Sequence, residues 1–305
     1  LFKDSDNEKL YRQGCCSGGG NAMTSGVALS PGTYDIAIGF GNGNGGRYMG
    51  AVYSSDNGAN YQLINPSAGP QNGLWTVNAV ASGNATNNVR VLANSVINIG
   101  TLLPGVKLNQ LRMNPGVTLE VQSTDNKQNL EFASTVLNGA ATINTTGLAN
   151  VTLRNISETV GSSLTFSGNG TFTLPTANSY TGTTIVSNLT SVVANSGLSF
   201  GMTTAGTTVQ AGGAVVFSSA GGTSESFDLA GTGNATNDAA LASQSGDTNF
   251  DGPITLSAAA KIRSRGNTLR LRGGVNIGGN NLELRADGRI EVDTLGITGA
   301  GGSIS

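Results

Sequence analysis

Three consecutive lines from the end of the chain, NTLRLRGGVNIGG (267–279), NNLELRADGRIEV (280–292) and DTLGITGAGGSIS (293–305), superpose on one another. Leu269, Leu282 and Leu295 coincide, as do Leu271, Leu284 and Ile297, and Ile277 matches Ile290. Self-similarity of this kind marks a solenoid, in which a unit buries its apolar edge only by stacking on the next. The expectation is that residues 267–305 are stacked coils with Leu269, Leu282 and Leu295 in one ladder. Upstream the spacing is irregular, and a meander of antiparallel hairpins or a sandwich is the competing arrangement.

Working outward, the same short alternation recurs. Val117-Thr-Leu-Glu-Val121, Val151-Thr-Leu153, Leu164-Thr-Phe166, Thr171-Phe-Thr-Leu174 and Ile254-Thr-Leu256 set apolar residues two apart between clusters of Gly, Asn and Ser. A period of two with turn residues on either side is a strand-turn-strand rhythm. No segment sustains helical spacing. The composition agrees: Gly (46), Asn (33), Thr (33) and Ser (30) are nearly half of the 305 residues. Leu, Ile, Val and Phe number 71, enough for a core built from modest side chains spread along the chain.

Several functions are disfavoured at this stage. There is no His, so the commonest general base and metal ligand is missing, and with it serine-histidine and cysteine-histidine hydrolysis. A net charge of −2 gives no electrostatic excess for phosphates, so nucleic acid is not an expected partner. No apolar run is long enough for a helical membrane span. The two cysteines are the adjacent Cys15 and Cys16, which fit neither a zinc site nor a C-x-x-C redox motif. A strained vicinal disulfide, pairing with another subunit and a reduced pair all stay open. The sequence starts at Leu1 and ends inside a repeating pattern, which reads as a mature or partial segment of a longer protein.

The stretch GTFTLPTANSYTGTTIV (170–186), followed by TSVVANSG (190–197), resembles the autotransporter-associated β-strand repeat, whose pattern is a strand, then N-x-Y-x-G-x-T, then further strands ending in a Gly turn. Leu229-Ala-Gly-Thr-Gly233, residues 245–256, Thr268-Leu-Arg-Leu271 and Ile297 to Gly302 follow in the order seen after such repeats. Leu189-Thr190-Ser191 departs by lacking a Gly. The resemblance covers about residues 160–302. It implies a right-handed parallel β-helix, carried outside the cell as a passenger or surface fibre. Residues 1 to about 70 are similar to the second half of the lectin-like β-sandwich of anthrax protective antigen and yeast adhesins, through Leu1 to Tyr11 and Val27 to Ile36. In that family adjacent acidic residues hold calcium beside a sugar, whereas here Asp4 and Asp6 are split by Ser5. The expected organisation is therefore a partial β-sandwich-like region over 1–74, with Asn65-Pro66 to Gly73 as linker, and a solenoid over 75–305.

Four features carry candidate chemistry. Asp247, Asn249 and Asp251, followed by Gly252, have the alternate spacing of a calcium loop, against which stands Ala258 where a bidentate carboxylate belongs. The competing reading is a hydrogen-bonded turn, and no other cofactor is implied. Seven N-x-S/T sites (Asn84, Asn144, Asn150, Asn155, Asn169, Asn188, Asn234) match the number expected by chance for this composition. Cys15 and Cys16 are candidates for an intersubunit contact. Lys261, Arg263, Arg265, Arg270, Arg272, Arg285 and Arg289 crowd one region, where alternation sends them opposite Ile262, Leu269, Leu271 and Leu284. They read either as a solvated face balanced by Glu283, Glu291 and Asp293 or as a contact surface for another subunit or an acidic polysaccharide.

The functional expectation is an extracellular, cell-surface structural protein, not an enzyme, that builds a fibre by head-to-tail self-assembly and adheres. The alternatives are a carbohydrate-binding module, in which Tyr34, Tyr48, Tyr53, Tyr61 and Trp75 read equally as stacking platforms or as core residues, and a β-helical polysaccharide lyase or glycosidase. Such an enzyme needs converging carboxylates. The acidic residues are mostly isolated, with none between Glu158 and Glu225.

Overall fold

The structure is a computed structural model that describes residues 87–99, 105–123, 128–147 and 149–305, together with five short strands upstream. The chain divides into two compact units, Leu1–Pro66 and Ser67–Ser305. In the first, Phe2–Lys3 pairs antiparallel with Tyr34–Asp35, and Ala51–Tyr53 with Gln62–Ile64. The remainder of the sandwich expectation, including Asp4, Asp6, Cys15 and Cys16, lies outside the described residues. No helix among the described residues is long and apolar enough to cross a membrane.

The second unit is all-β among the described residues, a parallel β-solenoid of about nine turns. The chain visits three faces in rotation. Val117–Gln122, Ala141–Thr146, Leu164–Gly168, Thr184–Val186, Thr207–Val209 and Phe227–Gly231 stack in parallel register as the first face. Asn150–Leu153, Thr171–Leu174, Ser191–Ala194, Ala214–Phe217, Leu241–Ser243 and Leu282–Ala286 belong to the second, where the long strand Ile254–Ser264 bends round from the first face to fill the gap before Leu282. Gly221–Thr223, Thr248–Phe250, Thr268–Leu271 and Arg289–Val292 form the later part of the third. In parallel pairing the backbone groups of one coil are satisfied only by the next, so alternation along each strand becomes a ladder across coils. Leu119, Ile143, Phe166, Val186, Val209, Leu229 and Leu256 are register partners in turn, and all are buried. A second ladder runs Val151, Phe172, Val192, Val215, Leu241, Ile262, Leu284.

The inside is a mainly apolar column with aromatic contacts between faces. Phe166 and Phe172 lie 4.8 Å apart, centroid to centroid. Phe217, Phe227 and Phe250, one from each face, meet edge-on, with Phe217 and Phe250 at 5.1 Å and 82°. Edge-to-face geometry sets a ring's positive rim against a negative face and adds to area burial. Turns must not widen the stack: at Gly168 the backbone has φ of +98°, and a Cβ there would sit 1.9 Å from the carbonyl oxygen of Thr145 in the coil below.

The repeat read at 267–305 is not the coil. Ala141 faces Leu164, Leu164 faces Thr184 and Phe227 faces Ile254, so successive coils differ by 23, 20 and 27 residues. Leu269 lies on the third face against Thr248 and Ile290, whereas Leu282 lies on the second against Ala260. Leu295 sits in the corner after the third face, 63% exposed. The three lines match because neighbouring faces of one coil share the same alternation, which a frameshifted comparison superposes. The solenoid stands and the single ladder does not. Leu269→Ala should therefore destabilise by about 2–5 kcal/mol, and Leu295→Ala by less than about 0.5 kcal/mol, measured by urea unfolding. Equal costs would restore the single ladder.

Candidate functional site

The N-x-Y-x-G-x-T motif becomes a corner between the third and first faces. The third face has no strand between Ile156–Glu158 and Gly221–Thr223, and side chains there add to scattered backbone bonds such as Ser179 N–H to the Ile156 carbonyl at 2.8 Å. Buried Asn178 accepts the backbone N–H of Ile156 from the coil below at 2.7 Å and donates through Nδ2 to the carbonyl of Ser199 in the coil above at 2.6 Å. An amide suits this position because it carries both donor and acceptor. A Cβ at Gly182 would lie 2.3 Å from the carbonyl oxygen of Ser162. Tyr180, fully buried, places its hydroxyl 2.6 Å from Thr184 Oγ1.

Thr184 opens a polar run inside the core that sequence reading missed. Thr184 and Thr207 are register partners whose side chains point inward. Thr207 Oγ1 donates at 2.8 Å to Glu225 Oε1, and Glu225 is 1% exposed. Burial pushes the Glu225 carboxyl up to about 7, against the opposing effect of the Thr207 hydrogen bond. Burial likewise raises the Tyr180 hydroxyl. The available signal was parity: in Thr184-Ile-Val186 and Thr207-Thr-Val209 the position that matches Leu164 is Thr.

The basic residues divide between two faces. Lys261, Arg263, Arg265 and Arg285 project from the second, Arg270, Arg272 and Arg289 from the third. Each has an acid within ion-pair distance. Lys261 meets Glu283 at 3.0 Å, Arg270 meets Glu291 at 2.6 Å and Asp247 at 3.3 Å, and Arg289 meets Glu291 at 3.1 Å. Asp238 collects Arg263, Arg265 at 3.3 Å and Arg285 at 3.4 Å, while Asp287 takes Arg263 and, at 3.8 Å, Arg285. Arg263 and Arg265 hold the Asp238 carboxyl below the usual carboxylate range despite the opposing effect of burial. A shallow concavity of about 330 Å³ lies against Arg270, Arg272, Glu291, Val292 and Asp293. Its mixed charges cancel, which gives little long-range field for a polyanion.

Asp247, Asn249 and Asp251 flank and occupy the strand Thr248–Phe250. Alternate residues of a strand share a face but stand about 6.6 Å apart, so the three spread out where a calcium loop would curl them together. Arginines of the next coil meet the two carboxylates: Arg270 lies beside Asp247, and Arg272 is 3.7 Å from Asp251. Asp247 also accepts the Thr268 backbone N–H at 3.0 Å, which, ahead of the arginine, keeps its carboxyl low. Among the described residues no group of three or more His, Cys, Asp or Glu is arranged to hold a metal. No known family model, curated protein or solved structure matches the chain.

In the fold, burial raises the Glu225 carboxyl from its ordinary 4.5 to about 7. Stability from keeping it protonated is complete below pH 4.5 and is lost as pH rises through 7. The Glu225→Gln variant should equal the parent near pH 4 and exceed it at pH 8 by on the order of 2 kcal/mol in urea unfolding. Parallel curves across this range would show that Glu225 does not titrate in this way.

Proposed function

We propose that this chain is a non-catalytic, extracellular structural protein, a rigid solenoid segment of a cell-surface fibre that copies of the chain build by self-association. The carrying observation is where the surface chemistry goes. Arg154 reaches back to Glu131 at 2.7 Å, Ser167 to Asn144 at 2.9 Å, Thr152 to Asn129 at 3.1 Å and Arg270 forward to Glu291 at 2.6 Å, each between adjacent coils. Outward polar groups thus tie coil to coil instead of converging on a reacting point. A rod stiffened in this way suits presentation at a distance.

The resemblance of residues 160–302 to autotransporter repeats supports the extracellular placement. Poverty in thiols and charge agrees with a spacer. Ladders of parallel strands also supply the means of association, because a strand edge pairs with any compatible edge. Adhesion to a surface polysaccharide is a secondary part of the proposal, carried by the lectin-like resemblance of residues 1–70.

Negative-stain microscopy with sedimentation velocity at micromolar concentration tests the proposal. Elongated particles that lengthen with concentration are expected. A compact monomer at both low and high salt would overturn self-assembly and leave a monomeric binding module.

A further inference from the structure

The step from Phe227 to Ile254 is 27 residues, longer than the 20 from Thr207 to Phe227, and the excess folds outward as a strap over the second face at residues 232–239. It turns sharply at Gly233, where φ is +83° and a Cβ would lie 2.0 Å from the Asn237 carbonyl oxygen. Asn234 Oδ1 then accepts the backbone N–H groups of Thr236 at 3.0 Å and Asn237 at 2.9 Å, which fixes the strap's shape.

The strap has two arms of different chemistry. The rear arm is neutral. Asn234 Nδ2 donates to the Thr190 carbonyl at 3.0 Å and to Ser191 Oγ at 3.1 Å, and Asn237 Nδ2 donates to Ser191 Oγ at 3.0 Å. The forward arm is ionic: Asp238 binds Arg263, Arg265 and Arg285, and Arg265 also donates to Asn237 Oδ1 at 3.0 Å. Between them Ala239 packs on Val216 and Ala242, outward-facing strand residues that the strap buries completely. Ser191, Val216, Ala242, Arg263 and Arg285 belong to five consecutive coils of the second face.

A solenoid is held by contacts between nearest-neighbour coils, so it is expected to peel one coil at a time. A strap anchored on coils four steps apart adds a coupling that a nearest-neighbour stack lacks. We infer that residues 232–239 clasp the coils from Thr190 to Ala286 into one cooperative unit, so that they open together. Each arm holds the strap in place for the other. Cutting either one leaves the remaining arm to meet the whole entropy of ordering the segment. The ionic arm is partly exposed and is weakened by salt, and the neutral arm is not.

Hydrogen exchange read by mass spectrometry tests the clasp on the intact chain. Asn234→Ala should speed exchange about tenfold in the distant strand at 260–264 as well as at 191–194, and Asp238→Asn should do the same at 191–194 as well as at 260–264. One molar sodium chloride on the unsubstituted protein should reproduce the Asp238→Asn pattern, which keeps the test available if a variant fails to fold. Acceleration confined to the coils that each side chain touches, or no response at 191–194 to salt, would overturn the inference.

Discussion

Each coil of the solenoid leaves a rim of backbone N–H and C=O groups that only another strand in parallel register can satisfy. Buried backbone groups are costly when unpaired, so the position of every coil is dictated by the one beneath it. Everything else follows from that stacking. In-register strands turn alternation into the ladder from Leu119 to Leu256. They set Arg263 directly beside Arg285, a like-charge contact that only acids from elsewhere make tolerable. They also oblige turns such as the one at Gly168 to carry no side chain where the next coil passes.

Charge is distributed as that constraint requires. The middle of the chain, residues 159–224, has no charged side chain at all, and cohesion there falls to Asn178, Tyr180, Thr184 and the phenylalanines. Towards 240–293 the ladders become ionic, with acids supplied both from the next coil (Glu283, Glu291) and from the strap (Asp238). One chain thus uses two ways of joining coils. The neutral one ignores salt. The ionic one contributes little per exposed pair and gains weight only as a network.

The fold class was legible because alternation of Val, Leu and Thr is a local signal that survives any loop length. The period was not, because coils of 20, 23 and 27 residues share no fixed repeat, and the match of Leu269 with Leu282 joined neighbouring faces of one coil. Asp247, Asn249 and Asp251 admitted two readings for a related reason: alternate oxygens are the spacing of a calcium loop and also of one strand face. Sequence showed an excess of arginine near 270 but could not show that Asp238 folds back over it, since an ion pair across 47 residues leaves no local trace. Glu225 was hidden among turn residues, and its burial depends on a corner that only stacking creates.

The most direct test of the stacking is which residue Thr165 faces. In the solenoid it lies beside Thr142 of the coil below, whereas an antiparallel hairpin of residues 164–167 with 171–174, turning through 168–170, would set it against Thr173. Parallel neighbours are about 4.8 Å apart, inside the Cα range that a disulfide tolerates. With Cys15 and Cys16 replaced by Ser, the pair Thr142→Cys and Thr165→Cys should oxidise readily, and the pair Thr165→Cys and Thr173→Cys should stay reduced. The opposite result would contradict the parallel stack on which the whole account rests.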